Sequence, residues 1–141
     1  MIINFYLIMD IQNLLFSKLD FMITGFVHEH TRTDRDEHIE MDHEAIRQAE
    51  VSDNVPNGTH AAKYHLCNET KLGRLFNCKI LNSYDKSSIM HYSNKIGSIN
   101  PRVVFRSRQP CPNNDCKFGQ REQLSPMDIK DIEDAYNCGK Y

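Results

Sequence analysis

The sequence predicts a chain of the α+β class that is mostly irregular, with little sheet and a helix near its end. Three observations support this prediction. Helix start and stop signals bracket residues 126–136, and a short run of β-branched and aromatic residues at 102–105 is typical of a strand. Clusters of Pro, Asn and Gly interrupt the chain at 52–59 and 109–119. An apolar stretch predicts one further helix over part of residues 10–24.

The elements before the last helix are short. Between Asp34 and Arg47 most positions are charged and apolar residues are sparse, which predicts a short helix or a turn. Residues 52–59 contain Asp, Asn, Pro and Gly and are predicted to be a loop. Val103, Val104 and Phe105 predict the short strand that follows Arg102.

The helix near the end of the chain has the clearest signals. Ser125 is a favourable N-cap, Pro126 suits the first helical position, and Asp128 places a carboxylate at the positive end of the helix dipole. Leu124 and Ile129 have the spacing of a hydrophobic staple. We expect one apolar face to pack against the domain, and it comprises Ile129, Ile132, Ala135 and Tyr136. Residues 137–139, with Asn and Gly, then end the helix.

The composition excludes several classes of protein. The chain has 141 residues, about one domain, and a formal net charge of −2, so it lacks the basic character of a nucleic-acid binder. No stretch reaches the roughly 20 apolar residues of a membrane span. Five cysteines and two glycosylation sequons, at Asn57 and Asn68, favour the secretory pathway. No basic leader or small-residue cleavage site is evident before Thr24.

The first 24 residues differ from the rest. Most of them are Ile, Leu, Met or Phe, and Gly, Ala, Pro, Val and Arg are absent. Two interpretations remain open. The segment is a buried or amphipathic helix that ends at Gly25, or it is a translated non-coding stretch joined to the gene by error.

Two short segments contain residues that could carry chemistry. His28, Glu29 and His30 stand among several further carboxylates, which could form a metal cluster or a solvated turn with Glu–Arg pairs. An isolated His-x-His favours the turn. Farther on, Met90 and Tyr92 could simply fill a core.

Four blocks of sequence, taken together, change this interpretation, because their order and spacing match a known pattern. The blocks are Gly25-Phe26-Val27-His28-Glu29-His30, Ser88-Ile89-Met90-His91-Tyr92, Gly119-Gln120-Arg121 and Leu124-Ser125-Pro126-Met127-Asp128-Ile129. They resemble the astacin family of secreted zinc endopeptidases, whose metzincin pattern is H-E-x-x-H-x-x-G-x-x-H followed by a Met-turn. The resemblance covers residues 25–138.

The resemblance implies roles for individual residues. His28 stands at the third zinc-ligating histidine, and Tyr92 at the tyrosine that ligates zinc and stabilises the transition state. Met90 matches the floor of the Met-turn, and Glu29 the acid that receives the mature amino terminus. The fold implied is the carboxy-terminal subdomain of a zincin, with one zinc ion in each complete domain.

The chain departs from the family pattern before Gly25. The first two histidine positions fall on Lys18 and Met22, and the general-base glutamate position falls on Leu19. Catalytic zinc takes three protein ligands, and the glutamate activates the bound water. We therefore expect that this polypeptide neither holds zinc tightly nor cleaves peptides.

The resemblance also divides the chain and its cysteines. Residues 1–24 are an atypical segment, either mis-joined or a replacement for the active-site helix, and residues 25–141 are the carboxy-terminal part of an astacin-like catalytic domain. In the family, the cysteine at Cys138 bridges to the amino-terminal part of the domain, so we expect it to be unpaired here. The other cysteines then form two bridges, and the most local of the possible pairings is Cys67–Cys78 with Cys111–Cys116.

Two functions follow. The first is a secreted zinc metalloendopeptidase that acts on proteins or peptides, represented by an incomplete chain. The alternative is a truncated or pseudo-protease that only binds proteins. An upstream exon ending in the missing motif would favour the first, and a verified start at Met1 the second. In either case we expect a monomer with no nucleic-acid partner.

Overall fold

The computed structural model describes residues 25–69, 78–111 and 116–136. Its α-helices are α1 (His43–Asp53) and α2 (Pro126–Tyr136). Its strands are β1 (Ile39–Met41), β2 (Lys95–Ile96), β3 (Arg102–Val103) and β4 (Phe105–Ser107). This content is compatible with the predicted α+β class with little sheet. The helix predicted within residues 10–24 lies outside the described ranges.

Helix α1 is longer than the sequence predicted. Asp42 caps its start by accepting a hydrogen bond from the Ala45 N–H at 2.8 Å, and Asn54 ends it in the left-handed conformation, with φ of 52°. Ile46 and Ala49 are buried and hold the helix against the core. The prediction of a short helix or turn up to Arg47 was therefore too short, and the loop predicted at 52–59 begins only at Asn54.

The strand predicted at 102–105 is divided in two at Val104. The preceding strand, β3, pairs with β2 in an antiparallel hairpin, and the following strand, β4, pairs with β1, with Met41 opposite Phe105. Val104 joins the two sheets because its N–H donates to the Asn94 carbonyl and its own carbonyl accepts from the Asp42 N–H, each at 2.8 Å. The sequence predicted neither β1 nor this exchange of partners.

Two apolar clusters form the core. The larger lies between α1, the β1–β4 sheet and the loops, and contains Ile39, Ile46, Tyr64, Val104, Phe105 and Phe118. The smaller lies under α2 and contains Ile89, Met90 and Ile132, with Phe26 and Leu124 packed against it. Short 3₁₀ turns connect these parts at Glu29–Thr31, Arg35–Glu37, Ala61–Tyr64 and Cys67–Glu69.

Helix α2 has the predicted bounds and the predicted start. The Ser125 hydroxyl accepts from the Asp128 N–H, and the Asp128 carboxylate accepts from the Ser125 N–H, both at 2.9 Å. The predicted apolar face is wrong except at Ile132, which is buried, because Ile129 and Tyr136 are 37% and 41% exposed and Ala135 is exposed as well. Asp128 occupies the inner face instead, where it bonds to another loop.

Neither α1 nor α2 is long and apolar enough to cross a membrane, and the described ranges contain no other candidate span.

Candidate active site

The first two sequence blocks meet in the folded chain. The Glu29 N–H donates to the Met90 carbonyl at 3.3 Å, which joins the 25–32 segment to the 88–92 turn. As a result the rings of His28 and Tyr92 lie against each other, with centroids 4.7 Å apart and planes inclined by 67°. The two side chains that the family resemblance singles out as metal ligands are therefore neighbours.

Hydrogen bonds from the 88–92 turn to helix α2 hold the turn in place. The Asp128 carboxylate accepts hydrogen bonds from the Ser88 hydroxyl at 2.6 Å and from the Ile89 N–H at 2.9 Å. The Ser88 hydroxyl in turn accepts from the Met90 N–H at 2.9 Å. Met90 is 1% exposed and packs in the smaller core cluster with Ile132. A single buried carboxylate thus fixes the turn on which Met90 and Tyr92 stand.

His91 fixes the carbonyl of Tyr92. Its Nδ1 lies 2.7 Å from the Tyr92 carbonyl oxygen, so Nδ1 carries the proton and donates it. Its Nε2 then accepts from the Tyr84 hydroxyl at 2.7 Å. Burial raises the pKa of Tyr84 well above its usual range, which keeps this hydroxyl protonated as a donor. Sequence reasoning did not identify Tyr84, because nothing in its local pattern marks a contact with His91.

The 119–121 block lies against the same turn. The Gly119 N–H donates to the Lys86 carbonyl at 2.7 Å, and Gly119 has a φ of 63°. A Cβ at this position would collide with the carbonyl oxygen of His91, so only glycine permits the approach. This contact explains why a glycine precedes Gln120 and Arg121, and Arg121 lines the same cavity as Tyr92.

Glu29 is buried and bonded within the protein. Its carboxylate accepts from Arg32 Nη1 at 2.9 Å and from the Asp85 N–H at 2.8 Å. Burial raises the pKa of Glu29 to about 7, against the lowering effect of the Asp85 amide and of Arg32. Glu29 also lines a cavity of about 400 Å³ together with Asp131 and Asp134. Burial likewise raises the pKa of Asp131.

The Glu–Arg pair expected for a solvated turn is present but not solvated. Arg32 is 8% exposed, and its guanidinium donates to Asp34, Glu29 and the carbonyls of Asn82 and Ser83. Its charge lies over the Tyr84 ring, 5.4 Å from the centroid. The solvated alternative therefore does not describe Arg32. Arg32 is buried because a segment fifty positions away covers it, which local pattern does not reveal.

A second cavity, of about 500 Å³, opens beside His28 and Tyr92. Its lining comprises His28, Lys63, Tyr64, Tyr92, Ser93, Lys95, Ile96 and Arg121. Three of these side chains are cationic and none is acidic. We call this space the basic cavity.

The residues present do not by themselves fit a tightly held zinc ion. Across 25–69, 78–111 and 116–136, no three His, Cys, Asp or Glu side chains come together in a way that could hold a metal. His28 and Tyr92 are two donors, whereas zinc in enzymes takes three protein ligands and a water. The other positions of the family pattern, Lys18, Leu19 and Met22, lie outside the described ranges, and none of the three is a residue type that zinc uses.

The remaining candidate residues lie at the surface or in the disulfides. The structure contains disulfides Cys67–Cys78 and Cys111–Cys116, the two pairs named from the sequence. Cys138 lies outside the described residues. Asn57 is exposed in a turn, and Asn68 is exposed next to the Cys67 bridge.

Comparison with known proteins defines the class to which this fold and site belong. The sequence profile of the Astacin peptidase family matches residues 21–137. The chain therefore belongs to the astacin family of metalloendopeptidases. The resemblance carried by the four sequence blocks is confirmed, and the match begins before Gly25.

Several proteins of known name are similar to the chain. The zinc metalloproteinase nas-14 of Caenorhabditis elegans is 32% identical over 121 residues, covering 83% of this chain and 20% of that protein. High choriolytic enzyme 1 of Oryzias latipes is 35% identical over 115 residues, covering 81% and 35%. The solved structure of High choriolytic enzyme 1, a hatching enzyme zinc-protease from that medaka fish, aligns with a TM-score of 0.54 and 28% identity. That alignment covers 84% of this chain and 53% of the solved one. The chain thus spans about a fifth to a third of these curated relatives.

Proposed function

We propose that this chain corresponds to the carboxy-terminal part of an astacin-type zinc metalloendopeptidase domain, and that the polypeptide as written neither holds zinc tightly nor hydrolyses peptide bonds. The observation that carries the proposal is the pairing of His28 with Tyr92 in a region where no three His, Cys, Asp or Glu side chains of the described residues come together to hold a metal. A complete family domain would add two histidines and a glutamate at positions that are Lys18, Met22 and Leu19 here.

Within such a complete domain, four residues of this chain have assigned parts. His28 is the third zinc ligand, and Tyr92 is a ligand whose hydroxyl can stabilise an oxyanion. Met90 forms the floor beneath the metal, which its full burial supports. Glu29 receives the mature amino terminus, and the cavity beside its carboxylate supports that part.

We also propose that the protein is secreted. Two disulfides support an oxidising compartment. The exposed side chains of Asn57 and Asn68 are accessible to glycosylation at their sequons.

The zinc prediction is tested by calorimetric titration of the purified chain and by hydrolysis of a casein substrate. We expect no sub-micromolar zinc site and no cleavage that a chelator abolishes. The variant carrying Lys18→His, Leu19→Glu and Met22→His restores the family pattern, and we expect it to gain zinc affinity by at least about tenfold, since third and fourth ligands are added.

The control is the same triple variant with His28→Ala, which should lose the gain. Sub-micromolar zinc binding by the unmodified chain, or chelator-sensitive cleavage of casein, would contradict the proposal.

A second function, protein binding without catalysis, is favoured by the basic cavity. Lys63, Lys95 and Arg121 line it without an acidic side chain, while Tyr64 and Tyr92 offer aromatic walls. Such a surface favours peptides with carboxylate side chains. Binding requires no metal, so this function is open to the chain as written.

Fluorescence anisotropy tests this second function with two labelled peptides, one with acidic side chains and one in which amide side chains replace them. We expect the acidic peptide alone to bind, with affinity falling as salt rises. Lys95→Glu and Arg121→Glu should each weaken binding about fivefold or more, as exposed charge contacts do when reversed. Lys117→Glu changes an exposed lysine outside the cavity and should have little effect. Equal binding of both peptides would exclude this function.

A further inference from the structure

His30 is entirely buried, with 0% of its surface exposed, and it is hydrogen-bonded to the backbone of Lys63 and of Tyr92, two residues that line the basic cavity. We propose that His30 is a positioning residue for Tyr92, tying the Tyr92 backbone to the Lys63 segment and thereby fixing the phenol beside His28. The inference rests on the proposed function, because that function gives Tyr92 its importance.

The hydrogen bonds of His30 require one particular tautomer. Its Nε2 lies 3.1 Å from the Lys63 carbonyl oxygen, which can only accept, so Nε2 carries the proton. Its Nδ1 is then free of a proton and accepts from the Tyr92 N–H at 3.4 Å. The Lys63 carbonyl thus orients the ring, and the ring orients Tyr92.

Ring packing adds to these bonds. The rings of His30 and Tyr92 lie 4.1 Å apart between centroids, inclined by 31°, so they are partly stacked. Tyr64 closes the other side of His30 at 5.4 Å, nearly edge-on. The wholly buried His30 ring is thus packed between two tyrosine rings.

His30 and His91 together hold both backbone groups of Tyr92. His91 donates from Nδ1 to the Tyr92 carbonyl, and His30 accepts at Nδ1 from the Tyr92 N–H, so the two rings carry their protons on opposite nitrogens. Glutamine can reproduce the role of His30, since its amide both donates and accepts. Leucine fills a similar space but does neither.

Amide hydrogen exchange by NMR on the full chain tests this inference. In His30→Leu we expect the Tyr92 amide to exchange about fivefold faster or more, relative to the Asp42 amide, which donates to the Val104 carbonyl, as loss of a single hydrogen bond predicts. In His30→Gln the rate should stay within about twofold of the wild type. His43→Leu, at an exposed histidine of α1, is the control and should change neither amide.

The inference is overturned if His30→Leu leaves the Tyr92 rate unchanged, if His30→Gln accelerates it equally, or if Asp42 accelerates as much. If His30→Leu does not fold, the ¹⁵N chemical shifts of His30 in the unmodified chain provide a second test. The ¹⁵N shifts should place the His30 proton on Nε2, and a proton on Nδ1 would overturn the inference. None of these measurements involves zinc, so they are independent of the zinc titration that tests the proposed function.

Discussion

Glu50 is a buried carboxylate near the end of α1 that organises the loop after the helix. It accepts from the backbone N–H groups of Gly58 at 3.0 Å, His60 at 2.7 Å and Ala61 at 3.0 Å. The N–H groups of Ala61 and Gly58 lower the pKa of Glu50, because they stabilise its ionised form. The sequence marks Glu50 only as one more charge on a helix, so this role could not be predicted.

The lowered pKa of Glu50 predicts a dependence of stability on pH. The stabilisation is fully present above the usual carboxyl value of 4.5 and is lost as the pH falls through the lower value of the folded state. Glu50→Gln should therefore lower Tm most near pH 7, and its Tm should approach that of the wild type near pH 3.

Thermal unfolding followed by circular dichroism across this pH range measures the difference. Glu133→Gln, at an exposed glutamate of α2, is the matched control and should give almost no difference at any pH. If the difference in Tm between Glu50→Gln and the wild type is equal at pH 3 and pH 7, the carboxylate charge does not contribute to stability.

At the scale of elements, the orientation of α2 follows from its cap. Asp128 and Ser125 bond to each other, and both also bond to the 85–89 segment. These polar contacts alone fix the orientation of the first turn of α2. The apolar pattern placed Ile129 inward, whereas the structure places it at the surface and buries Ile132. Caps and bounds were readable from local residue types, but the orientation depends on a partner forty positions away.

The orientation of α2 predicts unequal costs for two similar substitutions. Ile132→Ala removes a buried side chain from the cluster with Ile89 and Met90 and should lower the free energy of unfolding by about 3 kcal/mol. Ile129→Ala changes a partly exposed side chain and should cost less than about 1 kcal/mol. Urea unfolding of both variants measures the two values. Equal losses would mean that the helix presents the face predicted from the sequence.

At the scale of the whole molecule, the sequence predicted the residues that lie in recognisable motifs. It did not predict contacts between residues that are far apart in the chain. His28, Met90 and Tyr92 were singled out because their blocks match a family pattern, and the family match spans those blocks. The basic cavity could not be predicted, because Lys63, Lys95 and Arg121 come from three separate parts of the chain, a 3₁₀ turn, strand β2 and the 119–121 block. The same holds for the contact of Tyr84 with His91, which depends on the folding of the intervening turn.

The Asp128 carboxylate has a consequence for the order in which parts of the molecule open. The carboxylate accepts three hydrogen bonds, from the Ser88 hydroxyl and from the N–H groups of Ile89 and Ser125. Unwinding of the first turn of α2 therefore leaves these three buried donors without an acceptor. The helix and the turn that bears Tyr92 are thus one cooperative unit of local unfolding. A protease that trims the chain before Ser125 would release that turn as well as the last helix.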